Sequence, residues 1–284
     1  MSALKATKNK LISQLFWQME IGADDAISVK PSLQEKMINL KEYFGTFDKN
    51  QEAGSDPKKS NTDFSNFEKT IGRFESSTAK LKETSSNLNE RNKLDSINTL
   101  KELRTAMELF AGCGLKNTAN HFVFSDGNPD AKIMIIGEAP GKEEDKIGVP
   151  FVGQAGQLLD KMLNSVGLDR NCTYITNYIP WRPPGNRTPS QEEIDILKPF
   201  VIRHIQLKKP AIILALGGVA AKSLLEVETG ILKLRGKIQH KNFGLNHTIP
   251  VLPTLHPAYL LRAPAQKKFA FSDLVTLKRA FLSF

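Results

Sequence analysis

Four short apolar runs, KIMII (132–136), TYIT (173–176), AIILAL (211–216) and TIPVL (248–252), decide the fold through what lies between them. The stretches 153–166 (GQAGQLLDKMLNSV), 190–206 and 218–226 carry their apolar residues at helical spacing. The second of these opens with Pro189-Ser190 followed by Glu192 and Glu193, a helix cap with acids in the first turn. Strands that are apolar throughout must be covered on both faces, and alternation with helices makes them parallel. The reading is an α/β chain: a three-layer α/β/α domain with a central, mostly parallel four-stranded sheet. Ligands of such sheets bind beyond the carboxyl ends of the strands, so the loops after the strands carry the chemistry.

Upstream of the first run, Leu94, Ile97, Leu100, Leu103, Met107 and Phe110 recur every three or four residues, which predicts a helix with one packed face. Before that the texture changes. Residues 1–45 hold an amphipathic stripe (Leu11, Leu15, Phe16, Met19) and a shorter apolar segment, and read as a helical N-terminal extension. Residues 46–93 are rich in Asn, Asp, Lys, Ser and Gly and read as a polar, flexible linker. The domain that carries function is therefore expected over 94–284.

The 284 residues are 40% hydrophobic and 24% charged, enough apolar material for a sizeable core. No apolar run approaches the ~18 residues of a membrane span. The N-terminus lacks a signal-peptide pattern. Cys113 and Cys172 are too few for a disulfide framework or a four-thiolate metal site, so a reduced, cytoplasmic chain of bacterial type is expected. The formal net charge is +9, and residues 201–284 alone hold 13 Lys and Arg against 3 acids. A field concentrated in that way suits a polyanion such as nucleic acid, although a merely soluble basic surface would look the same.

The loop after the first run is GEAPGKEED (137–145). It is not a phosphate-binding loop: its glycines are one residue too close, and Glu143 stands where Ser or Thr is needed. Glu138 sits at the strand end, where a carboxylate can orient water; an ordinary polar turn is the plainer alternative. Phe151, between Pro150 and Val152-Gly153, either presents its ring to a flat ligand or fills the core. Asn177 ends the second strand with a donor and an acceptor on one planar group, suited to the edge of a base. WRPPGNR (181–187) is a stiff loop whose Arg182 and Arg187 either clamp phosphates or are simply solvated. After the last run, His256 precedes Pro257 and is followed by Tyr259, Leu260, Leu261 and Arg262. Apolar side chains flanked by cations are what proteins push into a base stack.

Each loop is a weak signal, but in order on one sheet they are specific. GEAPGKEED, PFVGQAGQLLDKML, YITN, RPPGNR, LGGVAA, LRGK and HPAYLLR resemble the type-4 uracil-DNA glycosylases, over roughly residues 94–284. The resemblance implies an enzyme that flips uracil out of DNA and hydrolyses its N-glycosidic bond, starting base excision repair. It implies catalytic roles for Glu138, Glu144 and His256, and a uracil pocket of Gly137, Ala139, Phe151, Asn177 and Asn186. It implies DNA contacts from Arg182, Arg187, Tyr259, Leu260, Leu261 and Arg262. The implied partner is uracil-containing DNA. A monomer that meets no membrane is expected, and the N-terminal extension, which lies outside the resemblance, leaves a protein partner or a tether open.

One departure concerns the cofactor. The family usually binds a 4Fe–4S cluster through four cysteines, and only Cys113 matches a ligand position here. Phe110, Trp181 and Leu197 replace the other three. One thiolate cannot hold a cubane, so no metal and no cluster is expected, with an apolar plug in its volume. Two alternatives stay open at this point: a DNA-binding relative with reduced or no turnover, and a glycosylase for other deaminated bases.

Overall fold

The structure, a computed structural model, describes residues 94–283. The helical extension and linker expected over 1–93 lie outside the described residues.

Thr99 opens α1 (Leu100–Leu109), the first helix lying wholly within the described residues, with a capping box: its hydroxyl accepts the Glu102 amide, and the Glu102 carboxylate accepts the Thr99 amide. The apolar stripe that begins at Leu94 is therefore interrupted, because the cap forces extended backbone at Thr99 before the helix can start. The strands are β1 (Ser125–Gly127), β2 (Ile133–Gly137), β3 (Thr173–Asn177), β4 (Ile212–Leu216), β5 (Gln239–Lys241) and β6 (Ile249–Thr254). The helices after α1 are α2 (Lys142–Ile147), α3 (Gln154–Ser165), α4 (Gln191–Lys208), α5 (Gly217–Leu225), α6 (Ile231–Leu234), α7 (Pro257–Arg262) and α8 (Lys267–Leu282). Ser190 caps α4 through a second capping box, with Glu193 as its acidic member.

The sheet order is β1-β3-β2-β4-β6-β5. The four strands expected from the apolar runs form the parallel centre, and β1 and β5 add antiparallel edges against β3 and β6. The edges escape an apolar-run reading because each is a polar triplet, SDG and QHK. Every residue of β2, β3, β4 and β6 is buried, as a doubly covered sheet requires.

Alternate residues feed two cores. Met134, Ile136, Ile213, Ala215 and Val251 pack with α1, α4 and α5 side chains such as Leu103, Leu197, Ile205 and Ala220. Ile133, Ile135, Ile175, Leu214 and Leu252 pack on the other face with α3 and α8 through Leu159, Met162, Leu274 and Leu277. The registers pair Gly137 with Asn177 and Leu216 with Thr254. The parallel strands thus end level, and their following loops meet at one rim.

Candidate active site

That rim holds a cavity of about 620 Å³. Glu138, Ala139, Glu144, Phe151, Asn177, Asn186, Arg187, His256, Tyr259 and Arg262 all line it, so most of the sequence-predicted site residues are brought together. Gly137 lies just behind the wall. A Cβ there would stand 2.4 Å from Asn177 Oδ1 and 2.5 Å from the Phe151 ring, so only glycine lets the amide and the ring close over the end of β2.

Phe151 is buried to 4% exposure, and its backbone is left-handed with φ 55°. A bulky side chain adopts that conformation at a cost on the order of 1 kcal/mol, so its surroundings must hold it. Its ring centroid lies 5.8 Å from that of His256, with the planes inclined at 31°. One ring wall and one imidazole therefore flank the same slot.

His256 sits at the N-cap of α7, where its Nδ1 accepts the amide of Ala258 at 3.1 Å. An accepting Nδ1 carries no proton, so the ring proton of the neutral imidazole is on Nε2. Burial, and secondarily the charge of Arg262, lowers its pKa to about 4. Nε2 is buried with no partner, and so is Asn177 Oδ1. These two are the orphan buried side-chain atoms among the described residues. Buried polar groups left unpaired in an otherwise satisfied interior are groups waiting for a ligand. Glu138 receives no side-chain hydrogen bond among the described residues, and burial raises its pKa.

Geometry bears on four of the sequence readings. Glu144 does not have a carboxylate free for water: it accepts the amides of Gly141 at 3.1 Å, Val152 at 2.9 Å and Gly153 at 2.8 Å. It ties the 137–141 turn to the 150–153 turn. Arg182 donates through Nε to Asn186 Oδ1 at 2.7 Å, with Nη1 4.0 Å from buried Asp145, so it also braces the pocket loop. Leu260 is 0% exposed within the α3–α8 core, and its side chain cannot enter a duplex. The apolar tip of that segment is Leu261, at 43% exposure. Arg187 is bound by both oxygens of Glu193, at 2.6 and 2.8 Å, and is only partly available to a phosphate.

Sequence reading missed two contributors to the wall. Gly217 and Gly218 follow β4, and Ile231 and Leu232 come from α6. The glycine pair was visible in the sequence as a strand-end turn. The Ile-Leu pair carries no signal that separates it from core.

The four positions of the family's cluster do not fit such a group. Cys113, Trp181 and Leu197 are buried in one apolar cluster, and Phe110 packs against it, its ring 4.9 Å from that of Phe200. Only Cys113 offers sulfur, and burial pushes its thiol pKa up, away from the thiolate a metal takes. Among the described residues, no group of three or more His, Cys, Asp or Glu is placed to hold a metal ion.

A family model described as the uracil DNA glycosylase superfamily matches residues 124–276. The chain is 37% identical over 178 residues to a type-4 uracil-DNA glycosylase of Pyrobaculum aerophilum, covering 62% of this chain and 91% of the relative. It is 39% identical over 166 residues to one of Archaeoglobus fulgidus, covering 57% and 82%. A third, of Thermotoga maritima, is 40% identical over 151 residues, covering 53% and 77%.

Proposed function

The chain belongs to the uracil DNA glycosylase superfamily, a family of N-glycosyl hydrolases, and from that premise we propose that it excises uracil from DNA with Asn177, Phe151, His256 and Glu138 as its working residues. The observation that carries this reading is the pair of orphan atoms, Asn177 Oδ1 and His256 Nε2, on residues lining one ring-walled cavity.

A duplex hides the N-glycosidic bond, so the nucleotide must leave the stack at a cost of a few kcal/mol. Once extruded, the base stacks on Phe151. Asn177 Oδ1 accepts the N3–H of uracil, and the amide N–H of the same side chain donates to O4. Cytosine presents the opposite pattern on that edge and is refused, because the buried oxygen would face a lone pair.

Uracil leaves as an anion with charge developing on O2, while the sugar becomes oxocarbenium-like. His256 Nε2–H donates to O2. A neutral imidazole, which a pKa of about 4 guarantees near neutral pH, supplies this bond without giving up its proton. Glu138 accepts a hydrogen bond from the water that attacks C1′ as the C1′–N1 bond breaks and takes the proton that water sheds, and the departing uracil anion is protonated from solvent. Tyr259 and Arg262 line the cavity, and with the exposed Leu261 between them they fill the gap left in the stack, while the basic C-terminal third holds the phosphates. No step requires an iron–sulfur cluster, and we propose that the packed side chains at 110, 181 and 197 stand in its place.

The test is direct. Purified protein is incubated with a uracil-containing oligonucleotide, treated with alkali and examined for strand scission at the uracil. Scission is expected, and His256→Ala should slow single-turnover excision by ~10²–10³. A wild-type protein that leaves the strand intact would overturn the reading.

A further inference from the structure

Arg170 lies in the connection between α3 and β3 and is absent from the cavity wall. All five of its guanidinium donors are engaged. Nε donates to Asp160 Oδ1 at 2.8 Å and Nη2 to Asp160 Oδ2 at 3.3 Å. Nη1 donates to Asp126 Oδ2 at 2.5 Å. The remaining two bonds go to main-chain carbonyls: Nη1 to Pro150 O at 3.3 Å and Nη2 to Phe151 O at 2.5 Å. Two carboxylates on different elements, β1 and α3, thus fix a planar fork that grips the Phe151 turn.

The turn needs a grip. Phe151 is left-handed at φ 55°, a region bulky residues avoid unless neighbours impose it. Room for the gripped carbonyl is made by Gly156, where a Cβ would stand 1.8 Å from Phe151 O. The ring that results closes over Gly137 and faces His256.

We propose that Arg170 is a positioning residue for base recognition: by holding the Pro150 and Phe151 carbonyls against Asp126 and Asp160, it keeps the Phe151 ring where an extruded pyrimidine stacks. This rests on the excision reading above. Arg170 touches neither base nor sugar and acts only through Phe151. A fork is required, because Lys can supply charge to the two aspartates but not two fixed donors to two carbonyls.

The test uses Arg170→Lys in the full chain, with Asp126→Asn as a second, milder variant that loosens the fork from the exposed sheet edge. Single-turnover excision of uracil should fall about tenfold in Arg170→Lys and less in Asp126→Asn, in the range that small misplacements of a catalytic site produce. Affinity for abasic-site DNA, which has no base to stack, should stay within twofold of wild type. In a Phe151→Ala background, Arg170→Lys should change the excision rate by less than twofold, since its route to the base is gone. Hydrogen exchange should quicken in the peptide covering 149–153 and nowhere else. Wild-type excision by Arg170→Lys, an equal loss in the Phe151→Ala background, or exchange that quickens evenly along the chain would each overturn the proposal. Exchange is read without substrate, so a wild-type protein inert on uracil DNA would sink the excision reading while the grip on the turn is still decided.

Discussion

Glu138 is the residue whose chemistry is most exposed to test. Its carboxylate has no protein partner among the described residues, and burial raises its pKa above the usual carboxylate value. If it holds water as an anion, excision needs the deprotonated form, so the single-turnover rate should rise with pH through that elevated pKa and level off above it. His256, lowered by burial to about 4, is neutral near pH 7. Glu138→Gln should give a slow rate that is flat across the same pH range; a pH profile identical to wild type would remove Glu138 from the reaction. At this scale the sequence was informative for residues at strand ends. Asn177 follows an apolar run directly and His256 comes four residues after one, so the sheet rule points to both loops. The partners of Glu144 and Arg182, the amides of Val152 and Gly153 and the side chain of Asn186, were not legible, because they are set by how loops fold back, which residue type does not disclose.

Among the elements, the junction of α3 with the preceding turn is the least tolerant. Gly156 lies in the first turn of α3, and a methyl group there would overlap the Phe151 carbonyl. Either the helix start or the left-handed turn must shift. Gly156→Ala should lose about 1–3 kcal/mol of stability, the usual cost of overpacking, despite the better helix propensity of alanine. Urea denaturation followed by circular dichroism measures it, and a stabilised Gly156→Ala would show that the turn is free to move. The same junction marks the limit of periodicity. Four strands and the helices α3, α4 and α5 were legible because their apolar residues repeat at the right spacing, whereas the 16-residue α8 was not read. Polar three-residue edges, and the start of α1 at a capping threonine inside an unbroken apolar stripe, were not.

For the molecule as a whole, two buried histidines set the response to acid. His204 is fully enclosed, its Nε2 bonded to the Tyr174 hydroxyl at 2.8 Å and its ring stacked on Phe124 at 4.7 Å. Burial, and then the nearby Lys208 charge, lowers its pKa to about 3; His256 lies at about 4. In the unfolded chain both titrate near 6.5. Below pH 6.5 the unfolded state binds protons that the folded state refuses. Stability is therefore full above 6.5 and is lost as pH falls toward 4 and then 3, by up to ~1.4 kcal/mol per pH unit for each histidine. Raised carboxyls such as Glu138 and Asp273 act in the opposite sense, but only near their own pKa values. The urea midpoint should drop between pH 7 and pH 5, and an unchanged midpoint would contradict neutral burial of the pair.

The donor that settles the proton of His256 belongs to the peptide group of Ala258. A side-chain partner can be exchanged or deleted by a single codon change, whereas every amino acid except proline carries this N–H. The tautomer that the proposed reaction uses is therefore inherited with the trace of the main chain, and substitutions that leave the α7 backbone in place and add no proline at 258 leave it intact. Scanning the neighbourhood for a dedicated helper of the imidazole will find none to remove.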